Sequence, residues 1–407
     1  MGAPTDDEAG GGGAGGTAPS SLARAKLLAE ARRRLLERKA AQVIDKALLE
    51  KFWSLLSQHT TPVPHGSEAE ATGALPAASI SYADLQKVAA AMPEAVRDNY
   101  MRASHFLKFP LDAHGRIEVT PYFQWVMRRS QLLQSRLELS HYDTSGTGRL
   151  GESQVENYIL DLLPSLPALE GLQESFTPFY VVTAVRKFFF FLDPKRRGFI
   201  RIRDMLGSPI LNELLELRRE SLQPEEHQNN WFSQQTALAV YGEYLQLDTD
   251  RNGMLAPAEL AHYGGGGLTL PFIDNLFQEA QTYDGEIDYK TYLDFVLASW
   301  YKKTNESLSY FFRLLDVQKR GYLTVFEINY FFRAVVEGSR EAGHEPVVIE
   351  DVKDEIFDMV KPKDPLQITL EDLVECKVGD TIVSMLTDVN GFWAYDNREM
   401  LMHTEEK

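Results

Sequence analysis

Residues 248–259 read DTDRNGMLAPAE and constrain the fold more than any other part of the chain. Short oxygen-bearing side chains stand at the first, third and fifth positions: Asp248, Asp250 and Asn252. Gly253 stands at the sixth, where the backbone must enter positive φ and a residue without Cβ is favoured. Met254 at the seventh offers its carbonyl oxygen, and Glu259 at the twelfth can supply both carboxylate oxygens. This is the pattern of an EF-hand loop with a complete ligand set for Ca²⁺.

The flanks of this loop agree with that interpretation. The segment TALAVYGEYLQL before it has apolar residues at helical spacing, which predicts an amphipathic entering helix. The residues assigned to its apolar stripe are Leu238, Tyr241, Tyr244 and Leu245. Pro257 stands where the exiting helix would begin, a position that tolerates a missing N–H. An acidic surface turn is the alternative, but so many matching positions in the right order favour the metal site.

A weak internal repeat runs through the rest of the chain. Glycine followed two residues later by an aliphatic residue recurs at Gly115/Ile117, Gly148/Leu150, Gly198/Ile200, Gly253/Leu255, Gly285/Ile287 and Gly321/Leu323. In loops of this class the glycine makes the turn, and the aliphatic residue forms a short strand that pairs with a partner loop. The spacings between 115 and 148 and between 253 and 285 suit adjacent helix–loop–helix units, so these hands are predicted to form two pairs. A weaker echo at 362–373 has Ile368 but no glycine.

Most of the other loops lack a ligand set. Three loops depart from the calcium-binding pattern: DTSGTGRLGESQ (143–154), DPKRRGFIRIRD (193–204) and DVQKRGYLTVFE (316–327). Gln154 removes the bidentate carboxylate from the first loop. Cationic side chains stand at ligand positions in the other two, and they would repel Ca²⁺. The loop at 280–291 begins with Ala280 and ends with Thr291, so it is predicted to brace the 248–259 loop without binding an ion.

Composition excludes several classes of protein. The chain has 407 residues and a net charge of −17, with no long basic tract of the kind that nucleic-acid binding requires. No window reaches about 18 apolar residues, so no membrane span is expected. A single cysteine, Cys376, excludes an internal disulfide framework and fits a reducing intracellular compartment. The histidines are scattered singly and no catalytic motif is present, so the chain is not expected to be an enzyme.

These patterns predict an all-α chain of tandem EF-hand units, mostly degenerate, with short β pairings between loops. The predicted segments are a disordered Gly/Ala-rich tail (1–19), an N-terminal helical segment (20–58), a linker (59–80), a degenerate EF-hand-like helical domain (81–225), an EF-hand pair with the calcium site (226–300), a C-terminal degenerate EF-hand-like region (301–400) and a tail (401–407). Four consecutive phenylalanines, 188–191, cover every side of a helix, which is therefore expected to be buried. A basic cluster at 32–39 is either a solvated helix face or a docking surface for an acidic partner.

Longer segments resemble a known family. They are FYVVTAVRKFFFFLDPKRRG (179–198), YGEYLQLDTDRNGMLAPAEL (241–260), TYDGEIDYKTYLDFVLA (282–298), INYFFRAV (328–335), VKDEIFDMVKPKDPLQI (352–368) and DVNGFWAYDNRE (388–399). Together they closely resemble the B″ regulatory subunits of protein phosphatase 2A, nearest the gamma-type branch that includes the plant Tonneau/Fass protein. The Gly-Asp-x-His-Gly and Gly-Asn-His-Glu segments of a phosphatase catalytic subunit are missing from the chain.

The resemblance implies an all-helical, EF-hand-based regulatory subunit that binds the scaffold and catalytic subunits of the phosphatase and selects its substrates and location. In the plant branch the associated role is organisation of cortical microtubules, so substrate or cytoskeletal proteins are expected partners. The expected location is the cytoplasm, with the cytoskeleton, the centrosome or the nucleus as further sites. The family's calcium ligands carry over onto Asp248, Asp250, Asn252, Met254 through its carbonyl, and Glu259.

Three questions stay open at this point. Calcium either stabilises the fold as a permanently held ion or switches the protein as a sensor, and one competent loop in the pair favours the structural role. A free-standing EF-hand calcium sensor is a different function, but such sensors usually expose Met-rich grooves and this chain has only 10 methionines. A cytoskeletal scaffold without a phosphatase is the third interpretation.

Overall fold

The computed structural model describes residues 21–62, 78–219, 228–343 and 347–398. Within these ranges the chain is mainly helical, and its strands are only two to four residues long. The chain divides into two compact units, residues 1–146 and 147–407. The all-α architecture with short β pairings between loops is therefore confirmed. The predicted tails, 1–19 and 401–407, lie outside the described residues.

The first unit is built from six helices and one small sheet among its described residues. The helices are α1 (Ser21–Ala40), α2 (Lys46–Gln58), α3 (Tyr82–Ala90), α4 (Glu94–Tyr100), α5 (Ala103–Phe106) and α6 (Val119–Tyr142). The strands β1 (Thr61–Pro62), β2 (Ala78–Ser81) and β3 (Arg116–Glu118) pair antiparallel in that order. Strand β1 and most of β2 fall in the segment predicted as a linker. Phe52, Tyr122 and Val126 are fully buried where α2 and α6 meet.

The second unit contains the remaining helices and strands. The strands are β4 (Arg149–Gly151), β5 (Phe199–Arg201), β6 (Tyr322–Leu323) and β7 (Ile368–Thr369). The earlier helices are α7 (Glu152–Leu162), α8 (Thr177–Leu192), α9 (Ile202–Gly207), α10 (Pro209–Glu216), α11 (Gln234–Leu247), α12 (Pro257–Leu260) and α13 (Leu270–Glu279). The later helices are α14 (Tyr289–Trp300), α15 (Asn305–Leu315), α16 (Val325–Glu341), α17 (Ile349–Val360), α18 (Leu370–Glu375), α19 (Gly379–Thr387) and α20 (Val389–Asp396).

Helix α8 lies at the centre of the second unit, where it packs against α7 and α14. Of the four phenylalanines predicted to be buried, Phe188, Phe189 and Phe190 are buried and Phe191 is half-buried. Lys187, only 3% exposed, is buried among them. Its Nζ donates to the Glu213 carboxylate at 2.7 and 2.8 Å and to the Tyr301 hydroxyl at 2.7 Å. The ammonium therefore ties α8 to α10 and to the end of α14.

The aliphatic residues of the repeat form cross-loop pairs, as predicted, and one of the two predicted pairings is observed. The observed pairs are Ile80 with Ile117, Leu150 with Ile200, Leu255 with Ile287, and Leu323 with Ile368. All eight side chains are at most 2% exposed. The pairing predicted from the spacing between 115 and 148 is wrong, because each of those loops pairs with a loop on its other side. The spacing between 253 and 285 does correspond to a pair.

The apolar stripe predicted for the entering helix is only partly correct. Helix α11 turns Val240, Tyr244 and Leu247 toward the core, while Leu238 and Leu245 are 45% and 52% exposed. Both sets of residues have helical spacing, and the neighbouring helices cover only the first set. Of the predicted stripe, Tyr244 alone is buried. Among the described helices, none combines the length and the apolar character needed to cross a membrane.

Candidate metal centre

The 248–259 loop turns sharply between α11 and α12. Helix α11 ends at Leu247, and the backbone takes positive φ at Arg251 (62°) and at Gly253 (81°). The second value is the one that the glycine pattern predicted, because a side chain is rarely tolerated there. The Tyr244 hydroxyl donates to the Gly253 carbonyl oxygen at 2.8 Å. This contact fixes the turn against the entering helix.

Three carboxylates converge inside the turn. Asp248, Asp250 and Glu259 each place an oxygen within 4.8 Å of the other two. Asp248 and Glu259 are 5% and 8% exposed, so water screens their charges poorly. Within the described ranges, no lysine or arginine forms an ion pair with any of the three. A group of unneutralised carboxylates, two buried and one, Asp250, exposed, fits a hard cation with oxygen ligands.

Hydrogen bonds hold these carboxylates in place. Glu259 Oε1 accepts from the Thr249 N–H at 2.8 Å and from the Thr249 hydroxyl at 2.7 Å, and Oε2 accepts from the Ala256 N–H at 3.0 Å. Asp248 Oδ2 accepts from the Gly253 N–H at 3.0 Å. Burial opposes ionisation of Glu259, but the donors from Ala256 and Thr249 outweigh it and hold its pKa below the ordinary value. The loop therefore presents the Glu259 carboxylate ionised and oriented.

The other two predicted ligands are arranged differently. Asn252 Oδ1 accepts from the Met254 N–H at 2.7 Å, so the amide oxygen is engaged within the loop. Its Nδ2 donates to Asp250 Oδ2 at 3.1 Å and to Glu286 at 3.0 and 3.2 Å. The Met254 carbonyl accepts no hydrogen bond from any residue in the described parts of the chain. Of the five predicted ligands, the three carboxylates lie together, and the Asn252 side chain contacts one of them through Nδ2.

Glu286 is the residue of this region that sequence reasoning missed. It belongs to the neighbouring loop, in which Asp284 and Gly285 both take positive φ (52° and 88°). Tyr283 and Glu286 exchange backbone hydrogen bonds of 2.8 and 3.0 Å across that turn. This is the tight turn that an Asp-Gly pair favours. The sequence signal for Glu286 is its position directly after the turn glycine. From there its carboxylate contacts Asn252 of the partner loop.

The two loops are joined at their aliphatic residues. Leu255 and Ile287 exchange backbone hydrogen bonds, each of 2.9 Å. At the end of the neighbouring loop, Asp288 caps α14 by accepting from the Thr291 N–H at 2.9 Å. Thr291 stands where the carboxylate of a binding loop would be. The 280–291 loop thus contacts and braces the 248–259 loop.

The degenerate loops replace ligand geometry with internal contacts. Asp193 Oδ2 accepts from the Gly198 N–H at 2.7 Å, and its Oδ1 accepts from Arg197 Nε at 3.3 Å. In the 316–327 loop a guanidinium, that of Arg320, contacts the carboxylate at the twelfth position. Both loops have cationic side chains at ligand positions. From these side chains the sequence predicted that the loops bind no ion.

Comparisons with known proteins agree on one family, although no family model matches the chain. The gamma-type B″ regulatory subunit of serine/threonine-protein phosphatase 2A from Xenopus tropicalis is 49% identical over 385 residues, covering 95% of this chain and 84% of that protein. Its Homo sapiens counterpart is 49% identical over 383 residues, covering 94% and 82%. The probable B″ regulatory protein TON2 of the same phosphatase from Arabidopsis thaliana is 42% identical over 346 residues, covering 82% and 72%.

A solved structure is similar as well. It is a PP2A PR70 holoenzyme in a diCa form, and one of its chains aligns with a TM-score of 0.54 and 25% identity. The alignment covers 60% of this chain and 91% of that one.

Proposed function

The chain belongs to the B″ family of regulatory subunits of serine/threonine-protein phosphatase 2A, and we propose that it docks on the scaffold and catalytic subunits of that enzyme and directs substrate choice and location. Identity of 49% across 95% of the chain is the observation that carries this proposal. The chain is a non-catalytic subunit, so hydrolysis is performed by its partner. Its own contribution is the surface that it presents.

The 248–259 loop is proposed to bind one Ca²⁺. Asp248, Asp250 and Glu259 would supply carboxylate oxygens, Asn252 its amide oxygen and Met254 its carbonyl. The convergence of the three carboxylates supports this assignment, as does the lack of a neutralising cation beside them in the described residues. The ion would neutralise the charge of these three clustered carboxylates and hold α11 and α12 at a fixed angle.

We favour a structural ion over a switch. The neighbouring 280–291 loop has Ala280 and Thr291 at its ends and forms a tight turn, so cooperative binding of two ions is not available to this pair. The Leu255–Ile287 pairing couples the loops mechanically. Filling the first loop would therefore stabilise the pair without opening it.

Recovery of the tagged chain from cell extract tests docking and calcium dependence together. The recovered material is assayed for serine/threonine phosphatase activity with and without a calcium chelator. The variant Glu259→Gln removes the bidentate carboxylate, and Glu216→Gln, at an exposed position of α10, is the matched control. Activity in both conditions supports docking with a structural ion. Activity only with calcium would show a switch, and no activity in either would exclude docking.

The cytoplasm, with the cytoskeleton, centrosome or nucleus as further sites, is the proposed location, and cytoskeletal proteins are proposed substrates. The similarity to the plant branch supports this part of the proposal. Imaging the fluorescently tagged chain beside a microtubule stain tests it. Exclusion from all of these structures would contradict it.

A further inference from the structure

The side chain of Asn252 lies between the 248–259 and 280–291 loops and contacts a carboxylate of each. Within its own loop, its Nδ2 donates to Asp250 Oδ2 at 3.1 Å. The same nitrogen donates to the two carboxylate oxygens of Glu286 at 3.0 and 3.2 Å. Glu286 is 34 residues further along the chain. The amide of a predicted ligand is therefore held by a loop that has no complete ligand set of its own.

These contacts favour one orientation of the Asn252 amide. Its Oδ1 accepts from the Met254 N–H at 2.7 Å, and its Nδ2 faces the carboxylates. Turning the amide over would place Oδ1 against two carboxylates and Nδ2 against an N–H, so that like groups would face each other. An amide oxygen has two lone pairs, so the bond from Met254 leaves one lone pair for a cation.

The Glu286 carboxylate is free to make this contact. Its side chain is half-buried, and it forms no ion pair with any lysine or arginine that the structure describes. Its backbone exchanges hydrogen bonds of 2.8 and 3.0 Å with Tyr283. The next residue, Ile287, exchanges hydrogen bonds of 2.9 Å with Leu255 of the partner loop. The carboxylate is therefore placed beside Asn252 by backbone contacts on both sides of it.

We propose that Glu286 is a positioning residue of the calcium site, supplied by the 280–291 loop to its neighbour. It holds the Asn252 amide through Nδ2, so that Oδ1 is the atom the amide offers to Ca²⁺. Removing a group that orients a metal ligand commonly weakens metal binding by about tenfold to a hundredfold. The 280–291 loop thus contributes a side chain to the site as well as a brace. This inference rests on the calcium site proposed above.

Calorimetric titration of the full chain with CaCl₂, after removal of metal by a chelator, tests the proposal. Glu286→Ala should weaken binding by about tenfold, because Nδ2 of Asn252 loses its cross-loop acceptor. Glu286→Gln keeps an acceptor oxygen and should lose less. Asp284→Asn is the matched control, since it removes an equal charge from the same loop. Asp284 is exposed, and asparagine tolerates its positive φ of 52°, so the affinity should change little.

A double-mutant cycle separates positioning from simple attraction of charge. In an Asn252→Ala chain there is no amide to hold, so adding Glu286→Ala should cause no further loss of affinity. A carboxylate that acts only by attracting the cation would weaken binding equally in both backgrounds, and that result would overturn the proposal. Thermal unfolding in chelator shows whether each variant is folded. The same cycle with Glu286→Gln replaces the alanine cycle if Glu286→Ala is unstable.

The titration also distinguishes this inference from the site on which it rests. Glu259→Gln removes a proposed ligand and so identifies the heat that belongs to the 248–259 loop. If the unaltered chain and Glu259→Gln give the same heat, the calcium site is excluded, and the role of Glu286 with it. If Glu259→Gln abolishes binding and Glu286→Ala leaves it unchanged, the site stands and the positioning role alone is overturned.

Discussion

Arg320 Nη2 donates to both carboxylate oxygens of Glu327, at 2.8 and 3.0 Å, in a loop where Glu327 is only 1% exposed. Gly321 N–H donates to Asp316 Oδ2 at 2.7 Å in the same loop. The guanidinium neutralises the carboxylate that an ion would neutralise in a binding loop. The side-chain cation thus gives this loop the electrostatic balance that the Ca²⁺ proposed for the 248–259 loop would give there.

Replacing Arg320 should expose this balance. Arg320→Ala leaves the Glu327 charge buried and unpaired, and we expect a loss of about 3 kcal/mol in the free energy of unfolding. Arg320→Asn places an amide oxygen at the fifth position between Asp316 and Glu327, so added Ca²⁺ should recover part of the loss. Thermal unfolding with and without calcium measures both effects. Arg333→Ala is the control, and equal losses in the two alanine variants would contradict the assignment.

Calcium should stabilise the second unit through the 248–259 loop. At a free concentration roughly one hundred times Kd, an ion that binds only the folded state adds about 2.7 kcal/mol to the free energy of unfolding. Glu259→Gln should remove most of that gain, and Glu216→Gln should retain it. Differential scanning calorimetry with and without chelator makes the measurement. A chelator-insensitive unfolding midpoint in the unaltered chain would argue against the site.

Lys187 should be costly to truncate. Lys187→Ala leaves the Glu213 carboxylate next to α8 without its cation. We expect the free energy of unfolding to fall by about 3–5 kcal/mol. The double variant Lys187→Met with Glu213→Gln removes both charges, so its free energy of unfolding should fall clearly less. Urea unfolding followed by circular dichroism compares them. A double variant as unstable as the alanine variant would mean that packing, and not charge, dominates there.

The first unit should lose stability in mild acid because of His105. Burial, with the nearby cations Arg129, Lys108 and Arg102, lowers the pKa of this imidazole. Since its folded pKa lies below the unfolded value of about 6.5, the unfolded state binds the proton more readily. The free energy of unfolding should therefore be fully retained above that value and fall as the pH drops through the folded pKa.

Denaturant unfolding between neutral pH and about pH 5 measures this dependence. His105→Gln should flatten the profile of the first unit, while His114→Gln, at an exposed position, should leave it unchanged. Parallel profiles in all three proteins would assign the acid sensitivity to other groups.

The fold could be predicted where the signal is local. The turn glycines and the aliphatic residues two positions later were found from spacing, and each lies in a cross-loop pair. Only the pair of the 253 and 285 loops was assigned correctly, because two of the other paired loops have no glycine before their aliphatic residue. Two positions before Ile80 the residue is Ala78, and two positions before Ile368 it is Leu366. Near Ile368 a tight turn from Asp364 to Gln367 replaces the glycine bend.

The face of α11 was ambiguous for a different reason. Two sets of apolar residues on this helix have helical spacing. One contains Leu238 and Leu245, and the other contains Val240 and Leu247. The neighbouring helices decide which set is buried. In the candidate metal centre, the three clustered carboxylates lie in the loop that the motif indicated, but Glu286, which contacts Asn252, comes from the next loop. Pairs such as Arg186 with Asp294, 108 residues apart, have no local signal at all.

Arg320 keeps a positive charge in the 316–327 loop permanently. A metal ion leaves its loop whenever its concentration falls, and it must diffuse back before the loop is restored. A cation attached to the loop by its own side chain cannot be diluted or chelated. The hand that carries Arg320 therefore keeps its neutralising cation at any calcium concentration, without the bound ion that is proposed for the 248–259 hand.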